Sequence, residues 1–433
     1  MLGSNSIKSR KVTLTLMSKL KLNLNDAGIL AEVISEVRLS VQTSRPKIVR
    51  QTGYSRTLVN KHIEIGLAAG LLVEGEFGVS TGGRVPRLLE FNPSAGTILL
   101  AQLGASGFSV TVSDLSGKMS EIKTKLRPIS SGPEEVLSQV EEAFDATIAK
   151  FKIKNVIGIG IGLPGPVEFA TGIPISPPIM PGWDRYPVRN RLSKKYKAPV
   201  WVDNDVNLMA LGEHSITQEN RSKELVYIKI GSGIGAGILT HGKLHRGAQG
   251  CAGDVGHIAI NDSSTVLCRC GNVGCLEAVA GGLALARDGL AAVQASKSAF
   301  LAERKNSTKT IMAKDVIDGA KSGDKWCVDA INMVGQQIGH TLATLVNFHN
   351  PSLIVIGGSV SEAGNQLLAT IRENIFRRSL PLATRDLEIR LGDSGEIVGL
   401  KGAAAMVISE LFAPKILRQW IDFGNTSKFE ITY

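Results

Sequence analysis

Aromatic residues make up only 5% of the 433-residue chain, and its five cysteines all fall between Cys251 and Cys327. So few thiols in so long a chain do not form a disulfide framework, which suits a reducing compartment and a cytoplasmic protein. No stretch approaches the roughly 18 uninterrupted apolar residues that a membrane helix needs, so no membrane partner is expected. Nor does a continuous apolar region ending in a small-residue cleavage site follow Lys8, Arg10, Lys11, Lys19 and Lys21. Residues 1–24 therefore read as a basic arm and not as a secretory signal.

What is present points to a folded α/β protein. The chain is 43% hydrophobic and 20% charged, which excludes global disorder, and its length suits roughly three folding units. Many of the 47 glycines sit in apolar runs, as in strands that lead into tight turns, and not as in a helical bundle. The formal net charge is +10, and thirteen Lys/Arg stand against seven Asp/Glu up to Glu90. A basic excess concentrated at one end suits a polyanion, although a solvated basic segment has the same composition.

Residues 25–92 have the pattern of a winged helix-turn-helix. From Asp26, read as a cap, Ile29, Leu30, Val33, Ile34 and Val37 recur at helical spacing to about Ser40. A second short helix carries Pro46 in its first turn and ends at Gly53. Ser55 caps a third, with Leu58, Val59, Ile63 and Leu67 inward, and the segment after Gly70 alternates like a two-stranded hairpin. Outside that apolar stripe, Ser55, Arg56, Thr57, Asn60 and Lys61 offer donors to phosphates and base edges in a major groove. Arg84 in the hairpin is placed to reach a minor groove or the DNA backbone. Operator DNA is the expected partner, and a protein-docking module is the alternative.

Past Asn92-Pro93, strands and helices alternate, which implies α/β layers. A strand pair turns at Gly104 to Gly107, a helix spans about Pro133 to Phe151, and a strand ends at Asp203 before a helix near Val206. The segments GIGIGLPGPV, PGW, VDNDVN, YIKIGSGIGAGIL, GCAGDVGH, CRCGNVGCLEA and LIVIGGSV follow in that order. Together they resemble the ROK family of repressors, open reading frames and sugar kinases, from about Thr97 to Phe412. The resemblance implies a two-lobed, actin-like (ribonuclease H-like) ATPase fold of the sugar-kinase type, divided here as residues 95–206 and 207–412, with 413–433 as a tail. A winged helix ahead of such a body is the arrangement of the family's transcriptional regulators.

Site residues follow from the same resemblance. His257, Cys268, Cys270 and Cys275 supply one imidazole and three sulfurs whose tight spacing can close around a tetrahedral ion. With no position left for water, Zn2+ there is expected to be structural. A sugar pocket is implied at Asn204, Asp205, Asp254, His257 and Glu277, where hydroxyls of a hexose satisfy sheltered carboxylates and an amide. Asp254 stands where the family usually has Glu, and His257 serves both sets through its two ring nitrogens. Cys251 and Cys327 are expected to be ordinary buried residues.

Asp205 is the general-base position of the family's kinases, in which a D-x-G-x-T turn manages metal and phosphate. Here that turn reads Gln102-Leu103-Gly104-Ala105-Ser106, and a neutral amide does not gather Mg2+ as a carboxylate does. No catalytic residue is therefore expected, nor ATP and Mg2+ as cofactors. The glycine turns Gly231 to Gly235 and Gly357-Gly358 persist, so weak residual kinase activity stays open.

These readings predict a sugar-responsive transcriptional regulator, a repressor of carbohydrate uptake or catabolism genes, with a monosaccharide or sugar phosphate as effector. A homodimer or homotetramer is expected because helix-turn-helix proteins read paired half-sites. The alternatives are an ATP-dependent sugar kinase with an appended DNA-binding domain and a regulator signalled by another protein.

Overall fold

The computed structural model describes residues 22–40, 42–77, 87–216, 223–260, 265–393, 395–424, 426 and 429. The arm up to residue 21 and Arg84 lie outside the described residues. Three helices open the chain: α1 (Leu24–Leu39), α2 (Arg45–Thr52) and α3 (Arg56–Ala68). Strands β1 (Thr43–Ser44), β2 (Leu72–Phe77) and β3 (Arg87–Phe91) form an antiparallel sheet with β3 central. The side chain that caps α1 belongs to Asn23, which accepts from the Asp26 amide. Asp26 itself sits in the first turn, where a negative charge faces the positive end of the helix dipole. Gly53 ends α2 at φ 73°, and Ser55 caps α3 by accepting from the Leu58 amide.

Two five-stranded sheets follow. The first holds β4 (Thr97–Leu103), β5 (Gly107–Ser113), β6 (Lys123–Leu126), β7 (Val156–Leu163) and, after a small ribbon of β8 (Val167–Glu168) and β9 (Ile173–Pro174), β10 (Val200–Asn204). Their order is β10-β7-β4-β5-β6, and α4 (Pro133–Phe151) and α5 (Val188–Tyr196) share a core with this sheet. Helix α6 (Asp205–Ile216) leads to the second sheet, with β11 (Leu225–Ile230), β12 (Ile234–Thr240), β13 (Lys243–Leu244), β14 (Leu353–Gly357) and β15 (Glu388–Leu391) in the order β13-β12-β11-β14-β15.

Between β13 and β14 come α7 (Leu276–Ala280), α8 (Gly282–Gln294), α9 (Ala299–Thr308), α10 (Ala313–Lys321) and the long α11 (Lys325–His349). Next are α12 (Asn365–Arg378) and α13 (Pro381–Thr384), and after β15 come α14 (Gly395–Leu411) and α15 (Pro414–Phe423).

Helices α6 and α14 cross between the sheets, α6 against the second and α14 against the first. A Cβ on Gly212 would lie 1.9 Å from the Val398 carbonyl oxygen, and one on Gly402 would lie 1.7 Å from that of Leu208. Only glycine permits that approach. The alternation in VIGIGIGL has the same cause. Ile159 and Ile161 enter the core shared with α4 and α5, while Gly158 and Gly160 leave room for Val407 and Ala403 of α14.

Helix α15 packs against α1. Ile416, Leu417, Trp420 and Ile421 are buried in one core with Leu30, Val33 and Val37, whereas Phe423 remains 48% exposed. The Leu22 amide donates to Asp422 Oδ1 at 3.2 Å. The Arg38 guanidinium lies 5.4 Å from the ring of Phe91 and 5.0 Å from that of Phe412. Helix α15 is thus bonded to the residues that lead into α1 and packed on that helix. Among the described residues no single helix is long and apolar enough to cross a membrane.

Candidate metal centre and ligand pocket

Where the two sheets face each other, the C-terminal ends of β4 and β10, the β11–β12 turn and the start of α14 enclose a cavity of about 780 Å³. Asn204, Asp205, Asp254, His257 and Glu277 all line it. Asn204 ends β10; its Nδ2 donates to the Gly165 carbonyl at 2.8 Å and its Oδ1 accepts from the Val206 amide at 2.9 Å. Those bonds fix the strand-to-helix corner and leave the amide one N–H and one lone pair for a ligand. Asp205 is buried, and its Oδ2 is paired with the Lys229 ammonium. Asp254 is half exposed, with Oδ1 3.8 Å from His257 Nε2. Glu277, in the first turn of α7, accepts from the Cys268 thiol at 3.5 Å.

The metal-type ligands converge beside this cavity. One ligand atom from each of His257, Cys268, Cys270 and Cys275 lies within 4.8 Å of all the others. Cys268 Sγ is 3.6 Å from His257 Nδ1, and Cys270 Sγ is 3.7 Å from Cys275 Sγ. A tetrahedral ion with metal–sulfur bonds of about 2.3 Å and metal–nitrogen bonds of about 2.0 Å separates its ligand atoms by about 3.5–3.8 Å. The four residues can hold a metal ion. Gly271 at φ 93° and Gly274 at φ 70° supply the turns between the sulfurs. Burial pushes the Cys268 thiol up to about 12 and raises Cys275 as well, so a dication held by these residues would supply the counter-charge that their ligating thiolate forms need. His257 turns Nδ1 to the sulfurs and Nε2 to Asp254 on the pocket side.

At the end of β4, Gln102 lines the cavity wall at 5% exposure, and neither atom of its amide has a hydrogen-bond partner among the described residues. It is wedged between two glycines: a Cβ on Gly162 would lie 2.2 Å from Oε1, and one on Gly399 would lie 2.7 Å from Cδ. The nearby Glu396 carboxylate accepts from Ser109 and Thr124. Packing alone accounts for Gly358 of the phosphate-type turns, whereas Gly233 faces only the movable end of a side chain. A Cβ on Gly233 would meet Glu277 Oε2 at 2.4 Å, and Gly358, at φ 89°, would meet the Ile230 carbonyl oxygen at 2.4 Å.

Along α3, Ser55, Arg56, Thr57 and Lys61 are exposed and Asn60 is half-buried. Three of them have protein partners, Ser55 as the cap of α3 and the other two across elements. Lys61 Nζ lies 2.9 Å from Asp26 Oδ1, and Asn60 Oδ1 accepts from Arg45 at 3.4 Å. Cys327 is buried, but Cys251 is exposed, because it lies in the loop that rims the cavity.

Two further ion pairs escape a motif-based reading. Lys229 is the one charged residue in the otherwise apolar strand LVYIKI, and a charge in such a strand needs a partner. Asp203, buried at the end of β10, takes 2.8 Å bonds from Arg246 Nε, the Asn204 amide and Asn207 Nδ2. Arg246 arrives from the loop after β13 and stacks 3.6 Å from the centre of the Phe169 ring.

A kinase-type body of two facing sheets, with a His/Cys loop able to hold a metal at its cleft and a three-helix unit at its start, defines the class of protein. Residues 100–410 match the ROK family, and the chain belongs to that family. It is 32% identical to the xylose repressor of Caldicellulosiruptor bescii over 375 residues, 86% of this chain and 92% of that protein. An alignment of that length exceeds the segment after residue 92 and so includes part of the three-helix unit. The glucokinase of Halalkalibacterium halodurans is 34% identical but covers 63% of this chain and 83% of its own. The crystal structure of a ROK family transcriptional regulator, a homolog of the E. coli MLC protein, superposes with a TM-score of 0.80 at 24% identity, covering 92% of this chain and 100% of that one. The chain is a transcriptional regulator of the ROK type.

Proposed function

We propose that this regulator represses genes of carbohydrate uptake or catabolism, binding operator DNA through α3 and its wing and changing its operator affinity when a monosaccharide fills the cleft. One observation carries the reading: Asn204, Asp205, Asp254, His257 and Glu277 converge on a single cavity, beside which position 102 holds a glutamine and not a carboxylate. Alternating donors and acceptors on a sugar ring match such a set of carboxylates, imidazole and amide. Similarity to a xylose repressor supports an aldose as effector. The metal is Zn2+, and its role is structural: it orients His257 so that Nε2 addresses the sugar. The protein acts in the cytoplasm as a homodimer, or a homotetramer built from dimers, because a paired half-site needs two copies of α3.

Asp205 occupies the base position of the family's kinases, but no carboxylate stands at position 102 to help gather a nucleotide's metal. Purified protein given Mg-ATP and aldoses is therefore expected to show no turnover in the range of about 1–100 s⁻¹ that kinases reach. Turnover at that rate would establish the kinase reading instead. On the DNA side, Arg56→Ala is expected to weaken operator binding by roughly tenfold and to lower the salt slope by about one if the guanidinium contacts a phosphate. Fluorescence anisotropy across a salt series measures both. Unchanged affinity would move the contact to Asn60 or Arg84.

A further inference from the structure

The charge pattern of the cleft selects among sugars, an inference that rests on the cleft being the effector site. Among the described residues, Lys229 carries the one ammonium or guanidinium group lining the cavity, and it is paired with Asp205 Oδ2. Side-chain exposure is 23% for Lys229 and 5% for Asp205, so solvent screens the pair poorly. Five further carboxylates line the same cavity: Asp254, Glu277, Glu362, Asp393 and Glu396. Among the described residues none of the five is paired with a lysine or arginine. The hydrogen-bond partners of Glu277 and Glu396 are a thiol and two hydroxyls, which leave their charge in place. A metal ion beside the cleft does not reverse the sign, because three thiolates and one dication sum to a negative charge.

We propose that the Lys229–Asp205 pair makes the cleft specific for an uncharged monosaccharide. Lys229 compensates the charge of the buried carboxylate, which is then free to act as an acceptor for a sugar hydroxyl. Because that cation is already committed, a phosphorylated sugar meets five further carboxylates with no second lysine or arginine among the described lining residues to receive its phosphate. The same pairing places a lysine against the group that serves as general base in the family's kinases. Lys229 is therefore a specificity-determining residue of the sugar site. An opposite assignment uses the same residue: Lys229 as a phosphate anchor beside the Gly231 to Gly235 turn. The surplus of carboxylates argues against it.

The test is isothermal titration of the full-length, metal-loaded protein with a panel of aldopentoses and aldohexoses and with the 5- or 6-phosphates of the same sugars. At least one uncharged sugar is expected to bind at least about a hundredfold more tightly than its phosphate, a difference of about 2.8 kcal/mol. Lys229→Met is expected to weaken that sugar by about tenfold or more, because Asp205 loses its counter-charge. Lys229→Arg, which keeps the charge, is expected to retain the preference, and metal content measured alongside reports on folding. A phosphate that binds more tightly than its parent sugar, with that advantage lost in Lys229→Met, would overturn the proposal while leaving the cleft as the effector site. If no sugar in either form binds metal-loaded protein that still binds operator, the reading of the cleft falls and this proposal with it.

Discussion

Cys270→Ser is expected to reduce bound zinc from about one ion per chain to a small fraction of that, and to lower the melting temperature together with it. Cys270 Sγ sits 3.7 Å from Cys275 Sγ in a loop held, among the described residues, by the isolated bridges Leu267–Val273 and Ala259–Cys275 and by a few backbone hydrogen bonds such as that from the Cys268 amide to the Asn272 carbonyl. A short loop of this kind has little core of its own, so metal-binding free energy is part of its folding free energy. If the loop loses about 3 kcal/mol, the melting temperature falls by roughly 6–12 °C, at about 2–4 °C per kcal/mol for a unit of this size. Sugar affinity falls as well, because His257 loses the ion that orients its ring. Atomic emission spectroscopy on purified protein measures the metal. One zinc per chain retained in Cys270→Ser would contradict the ligand set.

The second large effect is expected from Trp420→Ala. Trp420 is 8% exposed, its ring centre lies 5.9 Å from that of Phe412, and Phe412 in turn packs edge-on to Phe91 at 5.8 Å. Removing a buried tryptophan costs about 3–5 kcal/mol through lost burial and the cavity left behind. The consequence for regulation follows from where α15 lies. Asp203, next to Asn204 of the pocket, binds Arg246, and both stand close to the half-buried Glu410 near the end of α14. Burial raises the Glu410 carboxyl above its usual range, with Arg246 opposing the shift. Two residues on, Phe412 meets Arg38 of α1, and α15 follows. A movement at the cleft thus has a packed route to α1. Trp420→Ala is expected to leave sugar and operator each bound while their mutual effect shrinks to less than about twofold, against the roughly 5–150-fold typical of allosteric coupling. Full coupling in Trp420→Ala would show that the signal passes elsewhere.

Local features of the fold were legible in the sequence because local physics sets them. The apolar spacing of Ile29, Leu30, Val33, Ile34 and Val37 marks α1, Gly53 stops α2, Ser55 caps α3, and α4 spans Pro133–Phe151 as its pattern implies. The start of α1 was misplaced, since Asn23 and Asp26 are both good capping residues and only the backbone decides which accepts the bond. The five pocket residues were legible through a family resemblance, and their position around one cavity could not be read from spacing. Pairings between distant segments left weaker marks. Lys229 reaches Asp205 across 24 residues and Arg246 reaches Asp203 across 43, and neither partner can be chosen from sequence alone. The exposure of Cys251 was missed because a small thiol is usually buried, whereas this one sits on a rim loop. Glycine-bearing apolar runs read as strands that lead into tight turns, but the reason for the alternation in β7 is not local: Gly158 and Gly160 make room for α14, which is distant in the chain.

The account turns on a pocket that senses a sugar and alters DNA binding without transforming what it binds. Operator affinity measured by fluorescence anisotropy, with and without a saturating aldose that raises the protein's melting temperature, tests this most directly. The account predicts a change of at least about fivefold, and reciprocity requires the same factor in sugar affinity when operator is present. Equal operator affinity in both conditions, with the sugar demonstrably bound, would contradict it.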